Sequence, residues 1–305
     1  MKILITGATG FVGRRLCEVL HDAGHTLSAL SRDSVVAKQR VPHLKEVFPW
    51  NSLRELPPVQ AFEGCDAVIN LAGESVAGRW TAAKKQMIRD SRVLGTRNLV
   101  NALAQLNPRP KVLISASAIG YYGDRGEEAL TEEAAPGSDF LAQVCRDWEG
   151  EALKAESLGM RVVRLRIGLV FGPGGGALQA TLPLFRLGLG GPLGSGRQFW
   201  SWVHRDDVVG AITYALEKRD LSGPINVTAP QPVRQKEFAQ TLGRVLRRPA
   251  VLPAPAFALR LVLGEFASEL LSSKRVLPKQ LQQLGYPFRF GELEPALRAI
   301  LGMSA

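Results

Sequence analysis

The residues with the most chemical content are three glycines in the run Ile3-Leu4-Ile5-Thr6-Gly7-Ala8-Thr9-Gly10-Phe11-Val12-Gly13. Gly7 permits a tight turn, and Gly10 lets the backbone approach a ligand with no Cβ in the way. Gly13 lets the following helix pack close to the strand. That helix begins with unpaired N–H groups and the positive end of its dipole, a setting suited to a pyrophosphate. A glycine triplet alone is weak evidence. This one follows an apolar strand, Ile3–Ile5, and opens a helix carrying Phe11, Val12, Leu16, Val19 and Leu20, the context a dinucleotide-binding turn requires.

Further candidates sit just past other apolar runs. Ser31-Arg32-Asp33 follows the second, where NAD-binding chains usually place an acid about 20 residues beyond the glycines. A carboxylate would repel a 2′-phosphate, whereas a hydroxyl followed by a guanidinium attracts one. This favours NADP(H), the alternative being a surface Arg32 with Asp33 on the ribose. Asn70-Leu71-Ala72-Gly73 is a small-residue turn that lets the backbone pass close to a nucleotide. Ser115-Ala116-Ser117-Ala118-Ile119-Gly120-Tyr121-Tyr122-Gly123 follows a fifth run. There Ser117 is suited to hydrogen-bond a substrate carbonyl. Tyr121 or Tyr122 is suited to supply a proton if its pKa is lowered, and one of the two is expected to be a packing residue.

The elements that must position these groups alternate. Strands are expected at Ile3–Ile5, Thr26–Leu30, Ala67–Leu71, Val112–Ser115 and Arg161–Leu165, with a shorter one around Val47-Phe48. Helices are expected over Ala82–Leu106 and Leu141–Leu158. That order gives right-handed crossovers and an α/β, doubly wound parallel sheet, with ligands at the carboxyl ends of the strands. From Gly172 the chain becomes glycine-rich. The reading is a dinucleotide-binding core over residues 1–170. Residues 171–305 supply substrate-side loops and a small C-terminal lobe, with the segment around 200–228 returning to the core. Gly188–Gly196 is expected to close a pocket lined by Phe199, Trp200 and Trp202.

Composition narrows the class. The 305 residues are 46% hydrophobic, as in a soluble globular chain, and no apolar run reaches membrane-spanning length. The first strand begins at Met1, so no targeting peptide is expected and the location is read as cytoplasmic. Three scattered cysteines and four histidines argue for a reducing compartment and against disulfides or a metal site. The net charge of +10 comes from short basic runs without interleaved aromatics, so no nucleic-acid partner is expected.

Together these residues resemble the extended short-chain dehydrogenase/reductase superfamily. The shared motifs are the glycine turn, Asn70–Gly73, Gly95-Thr96-Arg97-Asn98-Leu99, Arg164 to Pro173, and Trp202-Val203-His204-Arg205-Asp206-Asp207-Val208. Within it the chain is similar to a branch described as epimerase family proteins, nucleoside-diphosphate-sugar-epimerase-like or cell-division-inhibitor-like. That similarity rests on Arg79-Trp80, Arg89-Asp90-Ser91-Arg92, Gly188–Gly196 and Phe288-Arg289-Phe290. The resemblance implies cofactor contacts at Gly7, Thr9, Gly10, Phe11, Val12, Ser31, Arg32, Leu71 and Ala72, and a small carbonyl or sugar-like substrate. Arg92 stands where the superfamily has an asparagine, and either reaches the cofactor or is a solvated helix charge.

One departure outweighs the matches. The superfamily carries Tyr-x-x-x-Lys on the helix after the fifth strand, four residues before an acid. Counting back from Glu149 places Leu141 and Cys145 there. Cys145 can make a weak hydrogen bond on the cofactor side but carries no positive charge. The expectation is therefore an NADP(H)-binding oxidoreductase or epimerase lacking the usual pair. The alternative is an inactive NADP(H)-binding regulatory or redox-sensing protein. The long helix Ala82–Leu106 suits homodimer pairing and equally suits packing on its own sheet.

Overall fold

A computed structural model describes residues 1–303. Seven strands, β1 (Lys2–Thr6), β2 (Thr26–Ser31), β3 (Leu44–Pro49), β4 (Ala67–Asn70), β5 (Val112–Ala118), β6 (Arg161–Ile167) and β7 (Gly223–Val227), form one sheet. Their order is β7-β6-β5-β4-β1-β2-β3, and every pairing is parallel. The expected doubly wound α/β fold is therefore present. The central strands are covered on both faces, which is why they read as unbroken apolar runs: Ile3–Ile5 and Ala67–Ile69 are fully buried.

Helices α1 (Phe11–Asp22), α2 (Ser34–Arg40), α3 (Ala82–Ala104), α4 (Phe140–Leu153), α5 (Gly176–Arg186), α6 (Arg205–Glu217) and α7 (Gln235–Leu246) follow the strands. Leu16 and Leu20 of α1 share one face of the sheet with Val208 and Ile212 of α6. Leu99 and Leu103 of α3 and Ala152 of α4 cover the other face. The stretch expected to be helical from Leu141 to Leu158 is two pieces. Helix α4 ends at Leu153 and a 3-10 turn carries the chain to Leu158, where Gly159 in the left-handed region (φ 81°) stops it. Strand β5 runs on to Ala118, three residues past the apolar stretch, because its last positions are small and polar but still paired with β6. Strand β7 carries no apolar signature at its start. It begins Gly223-Pro224, which an edge strand tolerates and a central strand does not.

The C-terminal part builds its own core from Phe171, Phe185, Trp200, Trp202, Phe238 and Leu297. Trp202 is fully buried and Trp200 nearly so, so the expectation that these two line a pocket is corrected. They stack with Phe171 and Phe238, and of the three aromatics only Phe199 is half-exposed. This lobe is fastened to the sheet at α6. The buried Asp207 carboxylate accepts the backbone N–H groups of Arg289 (2.7 Å) and Phe290 (2.9 Å). The His204 Nδ1 caps the helix by accepting from the Asp206 N–H at 3.1 Å, and its ring lies 3.9 Å from that of Phe290. Burial lowers the His204 pKa to about 4. Two further helices, α8 (Ala256–Leu263) and α9 (Phe266–Leu271), reach back to the core, where Phe266 packs on Trp80 and Glu265 pairs with Lys85.

Candidate functional site

The strand order reverses between β4 and β1, and in open α/β sheets the ligand crevice lies beyond the carboxyl ends of the strands at such a point. A cleft of about 520 Å³ opens there, with Gly7, Thr9, Gly10, Arg32, Leu71 and Ala72 among its lining. The glycines are required by geometry. Gly7 has φ +71°, and a Cβ on it would stand 2.7 Å from the Leu71 carbonyl carbon. A Cβ on Gly13 would stand 2.2 Å from the Gly7 oxygen, so α1 can approach the turn only without a side chain there. Gly10 caps α1 with no side-chain hydrogen bond, which leaves the first N–H groups of a twelve-residue helix directed toward the cleft.

A buried polar network holds the turn. The Thr6 hydroxyl donates to the Asn70 Oδ1 (2.7 Å) and accepts the Ala72 N–H (3.1 Å). The Asn70 amide and the Trp148 indole both donate to the Thr96 hydroxyl at 2.9 Å. The ends of β1 and β4 are thus tied to α3 and α4. The Phe11 side chain turns away from the cleft and packs against Gly172, Gly175 and Gly176, and Val12 packs in the sheet core. Neither is among the residues lining the cleft.

At the far end, the Asp33 carboxylate accepts from the Val36 N–H at 2.9 Å and caps α2. The Ser31 hydroxyl donates to the Asp33 carbonyl at 2.9 Å. Arg32 is exposed and lines the cleft. Opposite it runs a wall the sequence reading missed: Trp50, Asn51, Ser52, Leu53 and Arg54. The wall is held by the Trp50 indole on the Glu55 carbonyl (3.0 Å) and the Asn98 amide on the Ser52 carbonyl (2.9 Å). Its signal was its place just past β3, the strand least visible in the sequence. Neither Arg32 nor Arg54 forms an ion pair among the described residues. Glu74, Met87 and Ser91 complete the lining.

Arg92 does not line the cleft. Its Nη1 donates to the carbonyls of Glu74 (2.9 Å) and Ile88 (3.1 Å), and its guanidinium lies over the Trp148 ring. Burial lowers its pKa. It fixes the loop after β4 and leaves the bottom of the cleft to smaller groups. Cys145 is also outside the lining. It is buried against Gly120 beside Leu141, and burial pushes its thiol up to about 12.

Around the end of β5 the polar groups face one another. The Glu149 carboxylate accepts from the Ser117 hydroxyl (2.7 Å) and from Nε (2.8 Å) and Nη2 (3.0 Å) of Arg166. Glu149 and Arg166 are almost fully buried, and this paired geometry holds the guanidinium charged, above its ordinary pKa despite the burial. The Tyr122 hydroxyl donates to the Asn226 Oδ1 (2.6 Å) and accepts from the Arg166 Nη1 (3.0 Å). Burial drives its pKa to about 12. Tyr121 differs. Its ring stacks on the Arg166 guanidinium at 3.5 Å, it is half-exposed, and its hydroxyl has no hydrogen-bond partner among the described residues.

The chain is similar to known proteins in sequence and fold. A model of the NAD dependent epimerase/dehydratase family matches residues 3–228. The chain belongs to that family. A domain of unknown function, DUF1731, matches residues 254–300. The chloroplastic epimerase family protein SDR39U1 homolog of Arabidopsis thaliana is 43% identical over 304 residues, 99% of this chain and 87% of that protein. Epimerase family protein YfhF of Bacillus subtilis is 39% identical over 302 residues, 99% of this chain and 98% of that protein. The crystal structure of the human epimerase family protein SDR39U1 with NADPH superposes with a TM-score of 0.87 at 32% identity, covering 99% of both chains. The family resemblance read from the motifs therefore holds, down to the epimerase-family-protein branch.

Proposed function

We propose that this protein binds NADP(H) in the cleft and is an NADP(H)-dependent oxidoreductase or epimerase acting on a small carbonyl or sugar-like substrate. The observation that carries the cofactor is the joint presence of a side-chain-free turn at an uncapped helix start and two unpaired arginines at the other end. The turn and helix N-terminus would hold the pyrophosphate through Gly7, Thr9 and the backbone of Gly10, Phe11 and Val12. Arg32 and Arg54 would take the 2′-phosphate, with the Ser31 hydroxyl turning from the Asp33 carbonyl to donate to it and Leu71-Ala72 against the ribose. The human relative solved with NADPH supports this cofactor. The bound cofactor would exchange hydride at its nicotinamide ring.

The protein's own part in the chemistry falls to Tyr121. Ser117 and Tyr122 are committed to Glu149, Arg166 and Asn226, and Cys145 is walled off, so of the proposed proton donors Tyr121 is the one whose hydroxyl is free. Arg92 and Cys145 act as positioning residues behind the cleft. The sheet to residue 170, with the returning segment near 200–228, is the cofactor-holding unit, and residues 171–305 supply the substrate side. The three free buried thiols suit a reducing compartment such as the cytosol. A regulatory protein that keeps the cofactor without turning it over is the second reading, favoured by the locked Ser117–Glu149–Arg166–Tyr122 network.

A test distinguishes the two. NADPH deuterated at C4 is incubated with the protein and a panel of aldehydes, ketones and sugar nucleotides, and products are read by mass spectrometry. Transfer of label by the wild type, and its loss in Tyr121→Phe but not Tyr122→Phe, supports the enzyme. Binding of NADPH with no transfer to any member supports the regulatory reading, and equal transfer by both variants removes Tyr121 as the donor.

A further inference from the structure

Large apolar side chains at the surface concentrate on two segments of the C-terminal lobe. Among the described residues, half of the exposed ones lie in 184–189 and 251–262. Helix α8, Ala-Phe-Ala-Leu-Arg-Leu-Val-Leu, has no buried residue at all, with Phe257, Leu261 and Val262 at 74, 76 and 69% exposure. An apolar helix normally buries one face. The two segments lie side by side. The Leu252 N–H donates to the Gly190 carbonyl (3.2 Å) and the Ala254 N–H to the Pro192 carbonyl (2.8 Å). This places Leu187, Leu189 and Leu252 beside the start of α8.

The two segments themselves carry charge of one sign, and Glu265 and Glu294 beside them are paired with Lys85 and Arg244. Neither 177–205 nor 238–264 contains an aspartate or glutamate. Arg186, Arg247, Arg248 and Arg260 are exposed and form no ion pair among the described residues, whereas Arg244 beside them pairs with Glu294. Arg244, Arg247, Arg248 and Val251 line one shallow depression. A second copy of the chain is a poor occupant. A two-fold contact through this face would set Arg186, Arg247, Arg248 and Arg260 against their own copies, while Glu265 and Glu294 at its edge are already paired with Lys85 and Arg244. Apolar side chains rimmed by unpaired arginines complement a surface that offers hydrocarbon below and phosphate above.

We infer that this face docks on an anionic lipid surface, with Phe257 and Leu261 entering the headgroup layer and Arg247, Arg248 and Arg260 contacting phosphates. The contact is peripheral, since no described helix is long and apolar enough to cross a membrane. It is independent of the cofactor reading.

The test is co-sedimentation of the full chain with vesicles of phosphatidylcholine alone or containing about one-third phosphatidylglycerol, at low and high salt. The expected result is binding to the anionic vesicles only, weakened by salt. Arg247→Ser and Arg248→Ser should each weaken it about fivefold, and Phe257→Ser with Leu261→Ser should abolish it at unchanged Tm and NADPH affinity. No binding to anionic vesicles, equal binding to both vesicle types, or equal binding by these variants overturns the proposal. So does a dimer in solution that Phe257→Ser with Leu261→Ser converts to monomer.

Discussion

The cleft running from the Gly7 turn to Arg32 and Arg54 and the buried cluster at the end of β5 solve opposite problems. At the Gly7 end the protein removes side chains and leaves N–H groups and arginines without partners, facing outward into a cleft. In the β5 cluster it does the reverse. Glu149, Arg166, Ser117, Tyr122 and Asn226 satisfy one another out of solvent. Leu141 and Cys145 fill the row against Gly120, where the superfamily carries its tyrosine and lysine. Unsatisfied groups mark a place where a ligand completes the structure. A mostly paired network marks a place that is largely complete already; at its edge the Arg164 Nε and Glu132 Oε2 are buried without a partner, and Tyr121 stands beside it with no hydrogen bond to its hydroxyl among the described residues. The difference teaches that holding a cofactor and doing chemistry with it have separable structural requirements in one fold.

The comparison breaks most visibly at the glycines. Gly13→Val would press a side chain into the Gly7 carbonyl, so we expect a loss of about 3 kcal/mol or more in stability and of NADPH binding on the order of a hundredfold, read by thermal melting and titration. At the β5 cluster, Arg166→Met removes the two shorter guanidinium bonds of the buried Glu149 carboxylate and leaves it only Ser117 and the 3.4 Å contact of Arg164. Unfolding in urea should show a loss of about 3–5 kcal/mol. NADPH affinity in the folded protein should change by less than about threefold, and a large loss would show the two regions to be coupled.

A pH series sharpens the boundary between core and lobe. His204 is held neutral, with its pKa lowered to about 4 by burial, whereas the unfolded ring titrates near 6.5. A lowered histidine pKa means the unfolded state takes up the proton first. Its contribution is therefore whole above about 6.5 and is lost as pH falls toward about 4, by up to about 3 kcal/mol. His204→Asn keeps an acceptor for the Asp206 N–H, and its Tm should fall less than the wild type's between pH 7.5 and 5. Parallel curves would remove His204 from the account. The smallest effect is expected from Tyr122→Phe, which deletes a satisfied buried hydroxyl and leaves its partners short. It should cost about 1–3 kcal/mol in urea unfolding with no change in NADPH affinity.

The cradle was legible in the sequence because its parts are local. Gly7, Gly10 and Gly13 act on backbone within one turn, and Ser31-Arg32 follows its strand directly. The doubly wound sheet was legible for the same reason, as runs such as Ile3–Ile5 and Val112–Ser115 are buried on both faces. The β5 network was hidden because its members lie far apart in the chain. Tyr122 meets Asn226 across 104 residues, and Glu149 and Arg166 each look like an ordinary surface charge. The available signal was strand β6 itself, where Arg164 and Arg166 sit among Val162, Val163, Leu165 and Ile167 in a strand buried at most of its positions. The Trp50–Arg54 wall was missed because β3 is an edge strand, exposed or half-exposed at every position after Leu44. Trp200 and Trp202 were misplaced because an aromatic cluster beside a glycine loop reads the same whether it lines a pocket or fills a core.

The central claim, that the cleft keeps a working NADP(H) site at the Gly7 end whatever the β5 cluster does, is tested most directly by calorimetric titration. NADPH and NADH are each titrated into the wild type and Arg32→Asp. The account predicts that the wild type binds NADPH far more tightly than NADH, and that Arg32→Asp weakens NADPH by about 10–100-fold while leaving NADH nearly unchanged. Equal losses for both nucleotides, or no preference in the wild type, would contradict it.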